Sequence, residues 1–327
     1  MTAIMVASEL NNNLLVVVAA SAIYYGTPLF FAGLGEVLTE RSGVLNLGVE
    51  GMMLLGAVAA SVTSARAPGP AWLVLILALL AAMFAAACGA AVHAFAVITL
   101  RVNQTVSGLA LTILAGGAGL SSYLANLWGL RDPVPHQFTK LDVFGLADLP
   151  VLGPVLFNQT LLTYLSWVLV VASSWYLFRT RAGLHLRAVG ESPQTADAVG
   201  INVVRTRYVH TLAGGALAGV GGACFSLSIV PTWQDGMTAG RGWIAIALVI
   251  FGFWRPDLTL VGAYLFGAFS SLSLTLQARK VEISPSILES MPYVVTILVL
   301  VVVSGGWAKR RLGAPAALGL PYEREDR

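Results

Sequence analysis

The chain has 327 residues, of which 57% are hydrophobic and only 11% charged, with a formal net charge of +3. A water-soluble domain carries about 25% charged residues, so this composition excludes one and points to a polytopic membrane protein. The basic residues sit in loops between apolar runs, so the small positive balance does not suggest nucleic acid. No CxxC or His-rich spacing surrounds Cys88 or Cys224, which read as small core residues rather than metal ligands or a disulfide.

A membrane-crossing helix needs about 20 apolar residues. That rule places spans near 14–35, 43–62, 71–99, 104–127, 159–179, 207–230, 236–253, 258–277 and 288–305. The expected fold is therefore all-α, a single membrane domain with about nine transmembrane or re-entrant helices. No basic region precedes Leu14, so the first span is not expected to be a cleaved signal peptide.

Between the first two spans, Glu36, Glu40 and Arg41 read as a tight charged turn. The stretch after it, GVLNLGVEG, places Asn46 and Glu50 four apart on one helix face. Glu50 is the one acidic residue expected well inside a span, where an ionisable group is costly and faces a polar interior or a partner. Two readings follow: Asn46 and Glu50 line a path or lock the turn, or Glu50 bonds an Asn, Ser or backbone N–H on a neighbouring helix.

His93, in the third span, is either a proton carrier or a satisfied packing residue. Asn103, Gln104, Thr105 and Ser107 open the fourth span and either bond a polar solute or satisfy helix ends. The Pro- and Asp-containing loop at 128–158, with Trp128 at its edge, reads as an external cap or a pair of interfacial segments.

The stretch Arg179–Arg207 is the one long polar island and holds five arginines. Ser192-Pro193 is a helix start, since Ser caps and Pro loses nothing at the first helical position. Gly200 is the stop, because glycine tolerates the left-handed conformation past a helix end. Gly183 and Gly190 are expected to break the chain upstream. Gly215 and Gly219, four apart in HTLAGGALAGVGGA, allow close approach between membrane helices. The seventh span is short and Gly-flanked, so it reads as re-entrant or broken. Asp235 and Arg241 at its edge are expected to pair with each other or to contact a docking protein, and Arg255-Pro-Asp257 makes a short turn.

With the 180–206 loop placed in the cytoplasm, one face collects thirteen basic residues and the other six. The basic excess marks the cytoplasmic face, putting the tail at 306–327 inside and, with nine spans, the N-terminus outside. No HExxH or GxSxG motif is present. None of the three lysines follows the glycine that a phosphate-binding loop requires, so no catalytic, metal or ATP site is expected on this chain.

The motif GLGEVLTERSGVLNLGVEGMMLLGA at 33–57 resembles the early signature of permease subunits of bacterial ABC importers for branched-chain amino acids, simple sugars and nucleosides. Its ERSG…NLGVEGMM form is most similar to the nucleoside-type members. AVGESPQTADAVGINVVRTRY at 188–208 resembles the coupling segment of the same family, with Thr195-Ala196-Asp197-Ala198 departing from its usual doubled alanine. The resemblance runs over about 25–305. It implies that Pro193–Val199 is a coupling helix gripped by an ATPase, with Glu191, Ser192, Pro193, Gln194, Thr195, Ala196, Asp197, Ala198 and Gly200 at the contact. It also implies a separate ATP-binding subunit with two fused domains that binds ATP and Mg, a second homologous permease, and an extracytoplasmic binding protein or lipoprotein. The setting is the bacterial inner membrane and the solute nucleoside-like. The competing readings are a sugar or other heterocycle as cargo, or an ion-coupled carrier resting on Glu50 and His93.

Overall fold

The computed structural model describes residues 2–278 except 117, 118, 131 and 144, scattered positions between 287 and 301, and residues 314–324. The expected ninth span, 288–305, lies outside the described residues for the most part, as do the basic pairs and clusters at 279–280 and 309–311. Eleven helices run in order among the described residues. They are α1 (Thr2–Arg41), α2 (Val49–Arg66), α3 (Ala71–Ala94), α4 (Gln104–Ala115), α5 (Leu120–Leu127), α6 (Leu161–Arg179), α7 (Arg181–Glu191), α8 (Pro193–Ala198), α9 (Val203–Cys224), α10 (Arg241–Phe251) and α11 (Pro256–Ala278). Wider π turns extend α3 over Phe95–Thr99 and α9 over Phe225–Ile229.

Among the described residues, six helical stretches are long and apolar enough to cross a membrane: Leu14–Arg41, Ala71–Thr99, Gln104–Leu127, Leu161–Arg179, Val203–Ile229 and Pro256–Gln277. The chain is thus a mostly helical, multi-pass membrane protein. Two expected spans have a different character. α2 is buried along most of its length, and a helix wrapped by protein needs less apolar surface than one facing lipid. α10 has 11 residues, about 16 Å of helix, or half the hydrocarbon core. The fourth span is also interrupted, with α4 stopping at Ala115 and α5 starting at Leu120.

α9 is the axis of the bundle, because its glycines let α1, α2 and α3 close on it. A Cβ on Gly214 would collide with the Gly35 carbonyl of α1, and one on Gly222 with the Met53 carbonyl of α2. Close approach at this density gains dispersion contacts that lipid cannot offer. Met52, Met53, Ala86, Ala90, Ala218 and Phe225 fill the central cluster. Cys224 is buried, as expected of a small core residue, whereas Cys88 is exposed on α3 and is not one.

The 128–158 loop pairs a short strand β1 (Lys140–Asp142) antiparallel to β2 (Asn158–Thr160). It is tied down by Val134 N–H donating to the Pro231 carbonyl (2.8 Å) and Phe138 N–H to the Leu227 carbonyl (2.8 Å).

Three local expectations are corrected. Glu36 and Glu40 do not form a turn: α1 runs through them to Arg41 and both are buried. Asn46 and Glu50 do not share a helix, because residues 44–46 are irregular and α2 begins only at Val49. Gly183 and Gly190 do not break the chain but lie inside α7. There they let it press on the Tyr176 and Arg41 carbonyls, which any Cβ would strike.

Candidate functional site in a capped loop and a cleft between broken helices

The polar island folds into rigid pieces because each helix that starts in it is capped by a side chain. Thr180 Oγ1 accepts from Gly183 N–H (3.0 Å) at the start of α7. Ser192 Oγ accepts from Thr195 N–H (3.4 Å) at the start of α8, with Pro193 in its first turn. Asn202 Oδ1 accepts from Arg205 N–H (2.8 Å) at the start of α9. Gly200, at φ +89°, closes α8, with its N–H on the Asp197 carbonyl (2.9 Å) and Ile201 N–H on that of Ala196 (3.0 Å). Pro193 and Ala196 are buried, and Ala196 packs with Val189, Val203 and Tyr322. Glu191, Gln194, Thr195, Ala198, Val199 and Gly200 are exposed. One face of α8 is therefore anchored and the other presented.

The anchor includes part of the tail. Residues 314–324 form a strap across this side of the molecule. Ala317 N–H donates to the Gly190 carbonyl (2.9 Å) and Gly319 N–H to that of Gly43 (3.2 Å). Glu323 pairs with Arg101 (2.9 Å) and Arg324 with Asp197 of α8 (3.5 Å). Arg207, expected as a loop cation, is fully buried beneath the strap. Its Nε donates to the Ser42 carbonyl (3.2 Å) and its Nη1 to that of Leu320 (3.1 Å). Removing it leaves buried carbonyls unpaired, at about 1–3 kcal/mol each. Arg207→Met is expected to lower the thermal midpoint of the purified protein and expose the tail to protease. An unchanged cleavage pattern would show that the guanidinium does not hold the strap.

The 42–48 turn is braced from several helices. Asn46 Nδ2 donates to Glu36 Oε1 (2.7 Å), and its Oδ1 accepts from Gly48 N–H (3.0 Å). Gln104 Oε1 accepts from Leu45 N–H (2.7 Å), and His93 lies between the Leu45 carbonyl (3.1 Å) and Ser107 Oγ (2.9 Å). Asn103 Oδ1 accepts from Val106 N–H (3.1 Å), capping α4. On the same side, Trp254 Nε1 donates to Glu40 Oε2 (2.5 Å), while Arg41 Nε donates to the Trp254 carbonyl (3.1 Å). Phe253 and Trp254 both hold positive φ there, so the ERS segment clamps a strained turn between α10 and α11.

Glu50 accepts three hydrogen bonds from the segment that opens α10. Its Oε1 accepts from Thr238 Oγ1 (2.5 Å) and Gly240 N–H (2.9 Å), and its Oε2 from Gly242 N–H (2.6 Å). Gly240 precedes the first turn of α10 at φ +81° and offers no capping side chain. A carboxylate from α2 thus does the capping from across the bundle, where the positive end of the α10 dipole favours it. Gly242 has no Cβ because one would strike the Glu50 backbone. Asp235 accepts from Trp233 Nε1 (3.0 Å), while Arg241 lies over the Phe225 ring (5.0 Å) and donates to the Thr238 carbonyl (3.3 Å).

Around this carboxylate opens a cleft of about 540 Å³, lined by Glu50, Leu54, Thr112, Ile113, Gly240 and Trp243 among others. Its walls are α2, the end of α4 and the start of α10. Broken helices around a cavity are how membrane transporters bring polar backbone to a solute path. No group of His, Cys, Asp and Glu among the described residues is arranged to hold a metal.

The model of a permease family, described as the branched-chain amino acid transport system / permease component, matches residues 18–304. The chain belongs to this family. It is 39% identical to a Haloferax volcanii protein provisionally named as the glucose ABC transporter permease TsgC13, over 93% of this chain and 97% of that one. Against the guanosine ABC transporter permease NupQ of Bacillus subtilis the identity is 37%, over 94% and 97%. Against the nucleoside ABC transporter permease NupC of Lactococcus lactis it is 36%, over 95% and 98%. No solved structure matches the chain significantly. The protein is therefore an ABC transporter permease, a membrane subunit of a kind that is not itself an ATPase. Membership implies an ATP-binding subunit and a substrate-binding protein as partners.

Proposed function

We propose that this permease moves nucleosides, purine nucleosides among them, into the cytoplasm, driven by a separate ATPase that docks on Pro193–Val199. The observation that carries the reading is α8: a short helix, capped at both ends and anchored on one face, which presents Gln194, Thr195, Ala198 and Val199 to a partner. A rigid element transmits a push that a flexible loop would absorb. Two near-full-length relatives named for guanosine and nucleosides support the cargo. The relative named for glucose keeps a sugar as the second reading.

In this arrangement the 180–206 loop and the 306–327 tail face the cytoplasm, the 128–158 loop faces outward, and the whole chain is one permease domain in a bacterial inner membrane. The assembly contains an ATPase with two fused domains that binds ATP and Mg, a second homologous permease, and an extracytoplasmic binding protein or lipoprotein. Glu50 lines the solute path at the cleft, Asn46 and Gln104 hold the 42–48 turn, and Asn103 caps α4.

The test is affinity co-purification of the tagged permease from cells expressing its neighbouring genes, followed by uptake of radiolabelled guanosine, uridine and glucose. Recovery of an ATPase, with guanosine uptake abolished by a hydrolysis-dead ATPase, is the expected result. Uptake that follows a proton or sodium gradient without the ATPase would overturn the reading.

A further inference from the structure

A second cavity lies on the other side of the α10 entry, between α1, α10 and α11. It measures about 360 Å³, within the roughly 300–1,000 Å³ range of small-molecule sites. Its described lining is mixed, with Tyr25 of α1, Arg241 of α10, Ser270, Ser273 and Gln277 of α11, and Tyr293. The three α11 residues follow an i, i+3, i+7 spacing that stacks them on one helix face. Gln277 Nε2 donates to Ser273 Oγ (3.0 Å), joining two of them into one polar ridge. Polar side chains gathered on one face of a membrane helix face a polar interior, and they mark solute paths.

Ala239 lines both this cavity and the Glu50 cleft. It holds φ +47° between Thr238 and Gly240, the two residues whose donors grip Glu50 Oε1. The segment 236–241 is thus a thin partition with a chamber on either side.

We infer that the α1–α10–α11 cavity is a solute-binding station of the permease, for a neutral, hydroxyl-rich solute with a flat ring. The inference rests on the permease reading above. The chemistry of the lining selects that class. Hydroxyl and amide groups offer both donors and acceptors to solute hydroxyls, and two tyrosine rings offer flat faces. Arg241, the one cation in the described lining, is engaged with the Phe225 ring and the Thr238 carbonyl, which leaves the hydroxyl and amide groups there to meet the solute.

The test uses the full transporter with its ATPase and its substrate-binding protein in membrane vesicles, with radiolabelled guanosine, uridine and glucose as probes. Gln277→Leu and Ser270→Ala each remove one hydrogen-bonding group, worth about 1 kcal/mol, and are expected to raise KM roughly three- to tenfold at unchanged Vmax. Ser273→Phe fills the cavity and is expected to abolish uptake of whichever probe the wild type carries, while ATP hydrolysis continues. Wild-type KM in both Gln277→Leu and Ser270→Ala, with uptake still ATPase-driven, would overturn this assignment and leave the importer reading standing. ATPase-independent uptake by the wild type would overturn the importer reading instead, and a KM shift in the same vesicles would still place solute at this cavity.

Discussion

Ala196→Pro is expected to uncouple ATP hydrolysis from uptake, cutting solute moved per ATP at least tenfold while the protein still reaches the membrane. Ala196 is the fourth residue of α8, and its N–H donates to the Ser192 carbonyl at 2.9 Å. Proline removes that bond and drives its ring into the same carbonyl, a cost of about 3 kcal/mol inside a helix. A six-residue helix has nothing to spare against that. Its buried face would leave Val189, Val203 and Tyr322, and with them the strap. The membrane helices do not depend on α8 for their packing, so loss of coupling should exceed loss of fold. Val199→Asp provides the complementary variant. It leaves the helix intact but puts a charge on the exposed apolar tip, and it is expected to weaken ATPase co-purification instead. Normal uptake by the Ala196→Pro protein would remove α8 from the coupling role.

The contrast between α8 and its surroundings shows what sequence can reveal. Ser192, Pro193 and Gly200 act on their own neighbours, through a cap, a fixed φ and a positive φ, so their spacing alone announces the helix. The short, Gly-flanked seventh span was readable for the same reason, because length is a local property. Glu36 and Glu40 were not readable, since what permits them inside a helix is distant. Asn46 lies ten residues away from Glu36, and Trp254 more than two hundred from Glu40. Charge alone suggested a turn, and tertiary pairing overruled it. The strap is harder still, because it binds largely through backbone N–H and carbonyl groups that leave no mark on side-chain pattern. The α11 ridge was visible in principle. Ser270, Ser273 and Gln277 have helical spacing within an apolar run; Ser270 Oγ also donates to the Phe266 carbonyl of its own helix (3.3 Å), and only the cavity beside them sets the stripe apart from hydroxyls spent wholly on their own helix.

Glu50→Gln is expected to cost at least tenfold in uptake, even though the substitution changes one atom. The carboxylate accepts from Thr238 and Gly240 on one oxygen and from Gly242 on the other. An amide cannot satisfy all three donors. With its carbonyl on Thr238 and Gly240, its NH2 meets the Gly242 N–H donor to donor; turned over, its NH2 can donate to the Thr238 hydroxyl but meets the Gly240 N–H donor to donor. At least one buried donor loses its partner, at about 1–3 kcal/mol, and the dipole of α10 loses its counter-charge. Glutamine can therefore not serve as a neutral stand-in for a structural hydrogen bond here. The loss should fall on the partition 236–241, which Glu50 latches between the two chambers, more than on the helix bundle. Uptake should drop further than the membrane level or thermal midpoint, while ATP hydrolysis persists. Gly242→Ala attacks the same contact from the other side, by pushing a methyl group into the Glu50 backbone. The two changes should therefore be strongly non-additive, as expected for groups in direct contact. Additive losses would mean that they act through separate structures. Wild-type uptake by Glu50→Gln would mean that the latch is dispensable for moving solute past Ala239.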